Sequence, residues 1–312
     1  MPDFVLDYAL FERAARRNNY PLDHGSLMFF GVRGALPLDV SGTPFGNGHP
    51  MRVTDPDHLL MRCTLGQVRS SDQTLAVFPG STVPTLKYVK AAIAKGGAGV
   101  NTLMLGKYAY TRGIHKSSKP TGHRAFLQAM FFPVWRTADD TDYDLDDQID
   151  NDGGIVADNL HCAYHDNLAT PGYSSAGCQV VAGRPSMPAN GNLPESGPWK
   201  RFIENAYGAA HPLQKTYAYY LFSGTELAMV ALKPDSDLVQ SVRFGSEGTL
   251  VKDVQKALKT KGYPLGTVNG KFDRDTLEVV IRFQIANFGK SQADGIVGAN
   301  TGVALGVDMP TL

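Results

Sequence analysis

Cys178 and His161 are the residues of this chain whose type and spacing best suit covalent chemistry. Cys178 stands in Tyr173-Ser174-Ser175-Ala176-Gly177-Cys178-Gln179-Val180-Val181, with small residues before it and a β-branched run after it. That order predicts a thiol at the start of a strand, with free backbone N–H groups beside it. Such groups can hold the oxyanion formed when a thiolate attacks a carbonyl. A cysteine whose ordinary pKa is about 8.5 also needs a base. His161 lies seventeen positions upstream, on what reads as the preceding strand, and the loop from Asp166 to Tyr173 lets the two strands return to each other. If that strand continues, His165 shares the face of His161 and competes as base or substrate ligand. Tyr110, His115 and Arg136 are candidate lining groups of the cleft.

Each of these residues also has an ordinary reading. A free thiol is usually a small buried hydrophobe, and a histidine usually finds a partner in a core. The chain has three cysteines, Cys63, Cys162 and Cys178, too few and too odd for a disulfide scaffold. Cys162 faces the opposite side of the strand from His161, which suits a structural role; a Cys162–Cys178 disulfide is the alternative. A zinc hydrolase is the rival chemistry. It would draw on His115, His123, His161, His165 and Asp166, but no HExxH or similar spacing is present. The stretch from Asp139 to Asp152 holds eight aspartates. Its Gln148-x-Asp150-x-Asp152-Gly153 imitates a calcium loop without the acidic first ligand, and Asn159 stands where the closing glutamate should be, so a solvated loop is expected. The chemistry calls for no cofactor and no metal.

The positioning elements read mainly as β. Leu75 to Phe78 is a strand ending at Pro79-Gly80, and Lys87 to Lys95 a short helix before Gly96-Gly97. Strands flank Gly106. Ile155 to Tyr164 is the candidate strand carrying His161. Tyr217 to Phe222 and Leu227 to Leu232 bracket Ser223-Gly224-Thr225 as a hairpin. Pro198 to Tyr207 is a helix with Trp199, Phe202, Ile203 and Tyr207 on one face. Phe4 to Asn18 reads as an amphipathic helix packed on the body. Thirty-three glycines and nineteen prolines exceed what a helical bundle tolerates, which agrees with a β-rich body.

The pattern changes after Lys233-Pro234-Asp235-Ser236-Asp237. Val251, Val254 and Leu258 recur at helical spacing before Gly262, Asp273 can cap a second helix, and Thr301 opens a third. The ordered set Val254-Gln255, Leu258, Gly262-Tyr263, Val268 to Asp273, Thr276, Phe283-Gln284, Asp294 to Gly298 and Thr301 resembles the peptidoglycan-binding domain of cell-wall hydrolases, over about residues 243 to 307. The resemblance implies a shallow groove for glycan and peptide, with Tyr263 and Asn269 as candidate contacts.

That resemblance turns the thiol toward wall chemistry. His161, a thirteen-residue gap and Ser175-Ala176-Gly177-Cys178 resemble the L,D-transpeptidase family over about residues 155 to 205, and Gly106-Lys107-Tyr108 is similar to its Gly-x-Tyr strand. The family's second histidine is here Ala176, and Val180 stands where Asn or Arg is usual. The resemblance implies Cys178 as nucleophile and His161 as base, with the Cys162 carbonyl orienting the ring. It implies an oxyanion hole from the Gly177 and Cys178 N–H groups, helped by Ser175. Attack would fall on the carbonyl of the third stem-peptide residue.

The expected architecture is α+β in two domains: an N-terminal extension (1–59) on an L,D-transpeptidase-like body (60–233), a linker (234–242) and a three-helix domain (243–312). The expected partner of this monomer is peptidoglycan, with a zinc hydrolase or a non-catalytic wall-binding protein as alternatives. Zero net charge and a pI near 7.1 give no electrostatic footprint for nucleic acid. No run of eighteen apolar residues predicts a membrane span. The site of action is extracytoplasmic. The first twenty residues do not read as a secretory signal, so either a leader has been removed or export occurs another way, such as cell lysis.

Overall fold

The computed structural model describes the chain except for residues 138, 144–146, 151–154, 187–192, 209–210 and 212. It is α+β, with a β-rich body and a C-terminal helical region. The back half of the calcium-like motif, Asp152-Gly153, lies outside the described residues.

Eight strands close into a barrel. In chain order they are β2 (Leu27–Arg33), β5 (Cys63–Arg69), β6 (Thr74–Ser81), β8 (Gly106–His115), β9 (His123–Gln128), β12 (Leu160–Cys162), β13 (Gln179–Val181) and β14 (Thr216–Ser223). Around the barrel they run β12-β13-β6-β5-β2-β14-β8-β9. The β12–β13 and β14–β2 pairs are parallel and the rest antiparallel. Two three-stranded sheets flank it. One joins β1 (Phe4–Asp7), β4 (Gly48–Val53) and β3 (Ala35–Pro37); the other joins β11 (Gln148–Asp150), β10 (Val134–Thr137) and β7 (Val100–Leu103).

All seven residues of β2 are buried, because the strand has a core on each face. Phe29 faces the set containing Phe78, Phe126 and Tyr217, against which α3 (Gly197–Tyr207) packs Trp199, Phe202 and Ile203. Met28, Phe30 and Val32 face the other way, toward α1 (Tyr8–Arg17) and α4 (Gly224–Leu232). Alternate side chains must then all be apolar, which is why the strand reads as a continuous hydrophobic run. Residues 1–59, expected as an extension packed on the body, thus supply a strand of the barrel itself.

Three local expectations change. The second arm of the expected hairpin is α4: Ser223 caps it by accepting a hydrogen bond from the Glu226 N–H at 3.1 Å. A short apolar run fits strand and helix equally, and the cap decides. The N-terminal helix begins only at Tyr8, capped by Asp7, after β1 has paired with β4. The strand β6 does not turn at Pro79-Gly80 but continues to Ser81. Gly80 is needed there because a Cβ would lie 2.0 Å from the Val180 carbonyl oxygen. That close approach seats β13, and therefore the start of the Cys178 strand, against β6. The helix expected over Lys87 to Lys95 is present as α2 (Leu86–Lys95), closed by Gly96 in the left-handed region.

The C-terminal region contains α5 (Thr249–Thr260), α6 (Arg274–Phe288) and α7 (Ala299–Leu305). Two glutamines organise it by the same device. The two N–H groups of Gln255 Nε2 are shared among Asn269 Oδ1, the Lys271 carbonyl and Thr276 Oγ1, while its Oε1 accepts from the Gly270 N–H. Gln284 repeats this with Asp294 Oδ1, the Ile296 carbonyl, Thr301 Oγ1 and the Gly295 N–H. Each buried amide thus ties a helix to the following glycine turn and to the start of the next helix. Asn269, a candidate ligand contact from sequence, is a member of the first clamp, and Tyr263 packs edge-on against Phe283.

The segment between body and module is also held. Buried Glu226 of α4 accepts from Arg17, Asn18 and Arg243, each at 2.8 Å. Burial alone would raise this carboxyl, but Arg243 and Arg17 outweigh it and hold it below its usual range. Val239 and Val242 form bridges with Thr311 and Val297.

Candidate active site

His161 belongs to β12 and Cys178 immediately precedes β13, its parallel neighbour. The register pairs His161 with Val180, so Cys178 lies two positions along from the residue opposite His161. Leu160, Cys162 and Val181 point into the barrel core, while Ala163, Val180 and Cys178 pack together on the other side. Alternation sets His161 on the face of Cys178, and its ring also reaches to within 4.8 Å of the Cys162 sulfur and a His123 nitrogen. The candidate strand Ile155 to Tyr164 is regular only over Leu160–Cys162, because Ala157 and Tyr164 take φ of 59° and 58°.

The imidazole of His161 is 2% exposed, and its Nδ1 lies 2.7 Å from the carbonyl oxygen of Cys162. That carbonyl can only accept, so Nδ1 carries the proton and Nε2 keeps its lone pair. Burial, with His115 beside it, pushes the ring well below the usual histidine range, so it is neutral. His115 stacks on it with centroids 4.2 Å apart, and His123 and Tyr164 complete a cluster of four rings. His115 and His123 are cross-strand partners at the end of the β8–β9 ladder.

Cys178 is half-buried and its Sγ lies 3.5 Å from the Ala157 carbonyl oxygen. Burial pushes the thiol up to about 12, and the carboxyl of Asp158 adds to the rise. The resting pair is therefore a neutral thiol and a neutral imidazole. All three cysteines are free.

The loop before Cys178 is tightly fixed. Ser175 Oγ accepts from the Gly177 N–H at 3.1 Å and donates to the Cys178 carbonyl at 2.7 Å. The Gly177 N–H, expected in an oxyanion hole, is thus already engaged. The Cys178 N–H donates to no backbone carbonyl among the described residues. Gly177 has φ of 134°, and a Cβ there would lie 2.5 Å from both Asn101 Cβ and Asp158 Oδ1. No other residue fits.

Asp158 is a site residue the sequence analysis missed. It is 1% exposed, and its Oδ1 accepts from Asn101 Nδ2 at 2.9 Å. Its Oδ2 is buried with no partner among the described residues. Burial raises the carboxyl to about 7, against the pull of Asn101, Arg136 and Arg33. Only its place three residues before His161 hinted at it.

The expected lining residues separate. His115 joins the ring cluster. Arg136 pairs with Asp150 at 2.7 Å and donates to Asn101, so it supports the Asp158 corner. Tyr110 is wholly buried in the barrel between Phe132 and Tyr219 and lines no cleft. His165 is not on the face of His161: the turn at Tyr164 breaks the alternation, and the ring bonds Thr170 within its own loop.

Residues 247–305 match a family described as "Putative peptidoglycan binding domain". No curated protein and no solved structure matches the chain. The matched region holds both glutamine clamps, and beside the second lies a groove of about 610 Å³ lined by Gln284, Phe288, Ile296, Asn300 and Thr301. The chain therefore carries a peptidoglycan-binding domain, which gives it a wall-associated role. Among the described residues no helix is long and apolar enough to cross a membrane.

Proposed function

We propose that this protein is a cysteine-dependent acyl-transfer enzyme of the L,D-transpeptidase kind, acting on peptidoglycan stem peptides. The observation that carries the reading is the bond from His161 Nδ1 to the Cys162 carbonyl. It fixes the tautomer that leaves Nε2 as a base, on the face that also bears Cys178. The C-terminal domain supplies the substrate class, since holding the chain on an insoluble polymer raises the effective concentration of stem peptides.

His161 Nε2 takes the Sγ proton as Cys178 attacks the carbonyl of the third stem-peptide residue. The Cys178 N–H stabilises the oxyanion. The C–N bond to D-alanine breaks, and the departing amine takes the proton from His161. The acyl thioester then passes to an amine, which makes a cross-link, or to water, which completes hydrolysis. Because the resting thiol is neutral, proton removal accompanies attack.

The test is digestion of purified peptidoglycan by the wild type and by Cys178→Ala, read by mass spectrometry. Turnover by the variant should fall by at least about 10³-fold with wall binding intact. Equal activity of both proteins removes the thiol reading and favours a metal hydrolase. Two inactive proteins that both bind wall favour a non-catalytic binder.

A further inference from the structure

The ring cluster contains donors that the proposed thiol chemistry does not use. His123 Nδ1 lies 3.0 Å from the Thr121 carbonyl oxygen, so it is the protonated nitrogen and Nε2 keeps the lone pair. That Nε2 lies 3.9 Å from the Sγ of Cys162 and 3.3 Å from the Tyr164 hydroxyl. His161 is set in the same way by the Cys162 carbonyl. One donor atom from each of His123, His161 and Cys162 lies within 4.8 Å of the other two. Zinc bound by nitrogen at about 2.0 Å and sulfur at about 2.3 Å sets its tetrahedral donors about 3.3–3.6 Å apart, so the widest of these separations must close by about an ångström on binding.

We propose that His123, His161 and Cys162 form a binding site for a soft divalent cation, with Zn²⁺ as its chemical type, and that occupation of the site switches off the Cys178 thiol. Two imidazoles and a thiolate suit such an ion and reject Mg²⁺ or Ca²⁺. Each histidine already donates its other nitrogen to a backbone carbonyl, the arrangement that orients metal-bound imidazoles. On binding, the Cys162 S–H gives its proton to solvent and an S–Zn bond forms. Half-buried His115 and Tyr164 pack on the ring of His161, and three protein donors leave the fourth tetrahedral position to water. The switch follows from one shared ring: an imidazole of His161 that binds a cation through one nitrogen and is protonated on the other has no lone pair left to take a proton from Cys178. This half of the inference rests on the thiol reading; the binding half does not.

The test begins with the intact chain and one equivalent of Co²⁺ or Zn²⁺. The wild type and Cys178→Ala should both bind one equivalent and give a thiolate-to-cobalt charge-transfer band. Cys162→Ser should lose the band and bind Zn²⁺ at least about 100-fold more weakly in competition with a chromogenic chelator. His123→Gln should weaken binding likewise and serves if Cys162→Ser fails to fold. Absence of binding, or an unchanged affinity in Cys162→Ser, overturns the site; so does a band lost in Cys178→Ala, which would place the cation on the wrong thiol. In the wall assay Zn²⁺ should lower wild-type turnover and a chelator restore it, whereas turnover by Cys162→Ser should be the same with and without Zn²⁺. Turnover abolished by the chelator overturns the switch, with the metal then catalytic. An active Cys178→Ala that still binds Zn²⁺ overturns the thiol reading and leaves the site standing.

Discussion

Gln284 in the C-terminal domain and Asp158 beside the Cys178 loop are both buried polar side chains packed against a glycine turn. Gln284 uses its amide on four partners, two side chains and two backbone groups of the segment 294–301. Asp158 has one oxygen held by Asn101, whose amide also donates to the Val156 carbonyl, and the other oxygen buried with no partner among the described residues. Satisfied networks hold a fold in one arrangement, whereas an unsatisfied buried group costs stability and persists where something else requires it. The contrast separates a module built for robustness from a corner of the barrel whose charges are arranged around a thiol.

The comparison breaks most visibly at Gln284. Replacing it by alanine strands the Gly295 N–H and removes the donor to three acceptors at once. The expected cost is about 2–4 kcal/mol, taken up mainly by α6 and α7. Amide hydrogen exchange should show faster opening of these two helices, with β2, β5 and β14 still protected, and retention on insoluble wall should fall. Unchanged protection in α6 and α7 would mean that the clamp decorates the fold rather than holding it.

Asp158 should behave in the opposite sense, with removal of the charge helping the fold. Its carboxyl is raised by burial to about 7, above the value of about 4 in the unfolded chain. The folded state therefore binds this proton more tightly. The contribution to stability is full below pH of about 4 and is lost as pH rises through about 7. Asp158→Asn removes that loss. Its stability relative to the wild type should improve by roughly 3–4 kcal/mol between pH 4 and pH 8, measured by urea unfolding at each pH. The same change lifts a negative charge away from Cys178, so alkylation of this thiol at pH 8 should become faster. A flat difference across the pH range, with unchanged alkylation, would show that Asp158 is already satisfied.

Legibility in the sequence followed the range of the contacts. The C-terminal helices were readable because caps, helix stops and glycine turns are local: Asp273 caps α6 through the Thr276 N–H three residues on. The return of the Cys178 strand to the His161 strand was inferable from the loop between them and the β-branched run after Cys178, but its parallel direction was not. The barrel was not, since its closure depends on pairings such as β2 with β14, nearly two hundred residues apart. The strand assigned to Leu227–Leu232 failed because apolar content alone does not choose between periods, and a single serine cap does. Among the site residues, His123 was visible only as one of several scattered histidines. Its meaning came from the β8–β9 register that sets it opposite His115. Tyr110 misled because alternation says which residues share a face, but not which face meets solvent.

The smallest expected effect sharpens the same point at His165. Strand periodicity placed this ring on the face of His161, as an alternative base. The left-handed Tyr164 instead turns the chain, and the ring's Nε2 lies 3.1 Å from the Thr170 carbonyl oxygen. A hydrogen bond in so open a loop is worth about 1 kcal/mol or less. His165→Ala should therefore change turnover by less than about twofold and leave its pH dependence in place, because no proton it holds is routed to Cys178. A loss as large as that expected for Cys178→Ala would move the base from His161 to His165. The stacked His115–His161 pair would then be a packing feature, and the ring that couples cation binding to the thiol would no longer be the one that takes its proton.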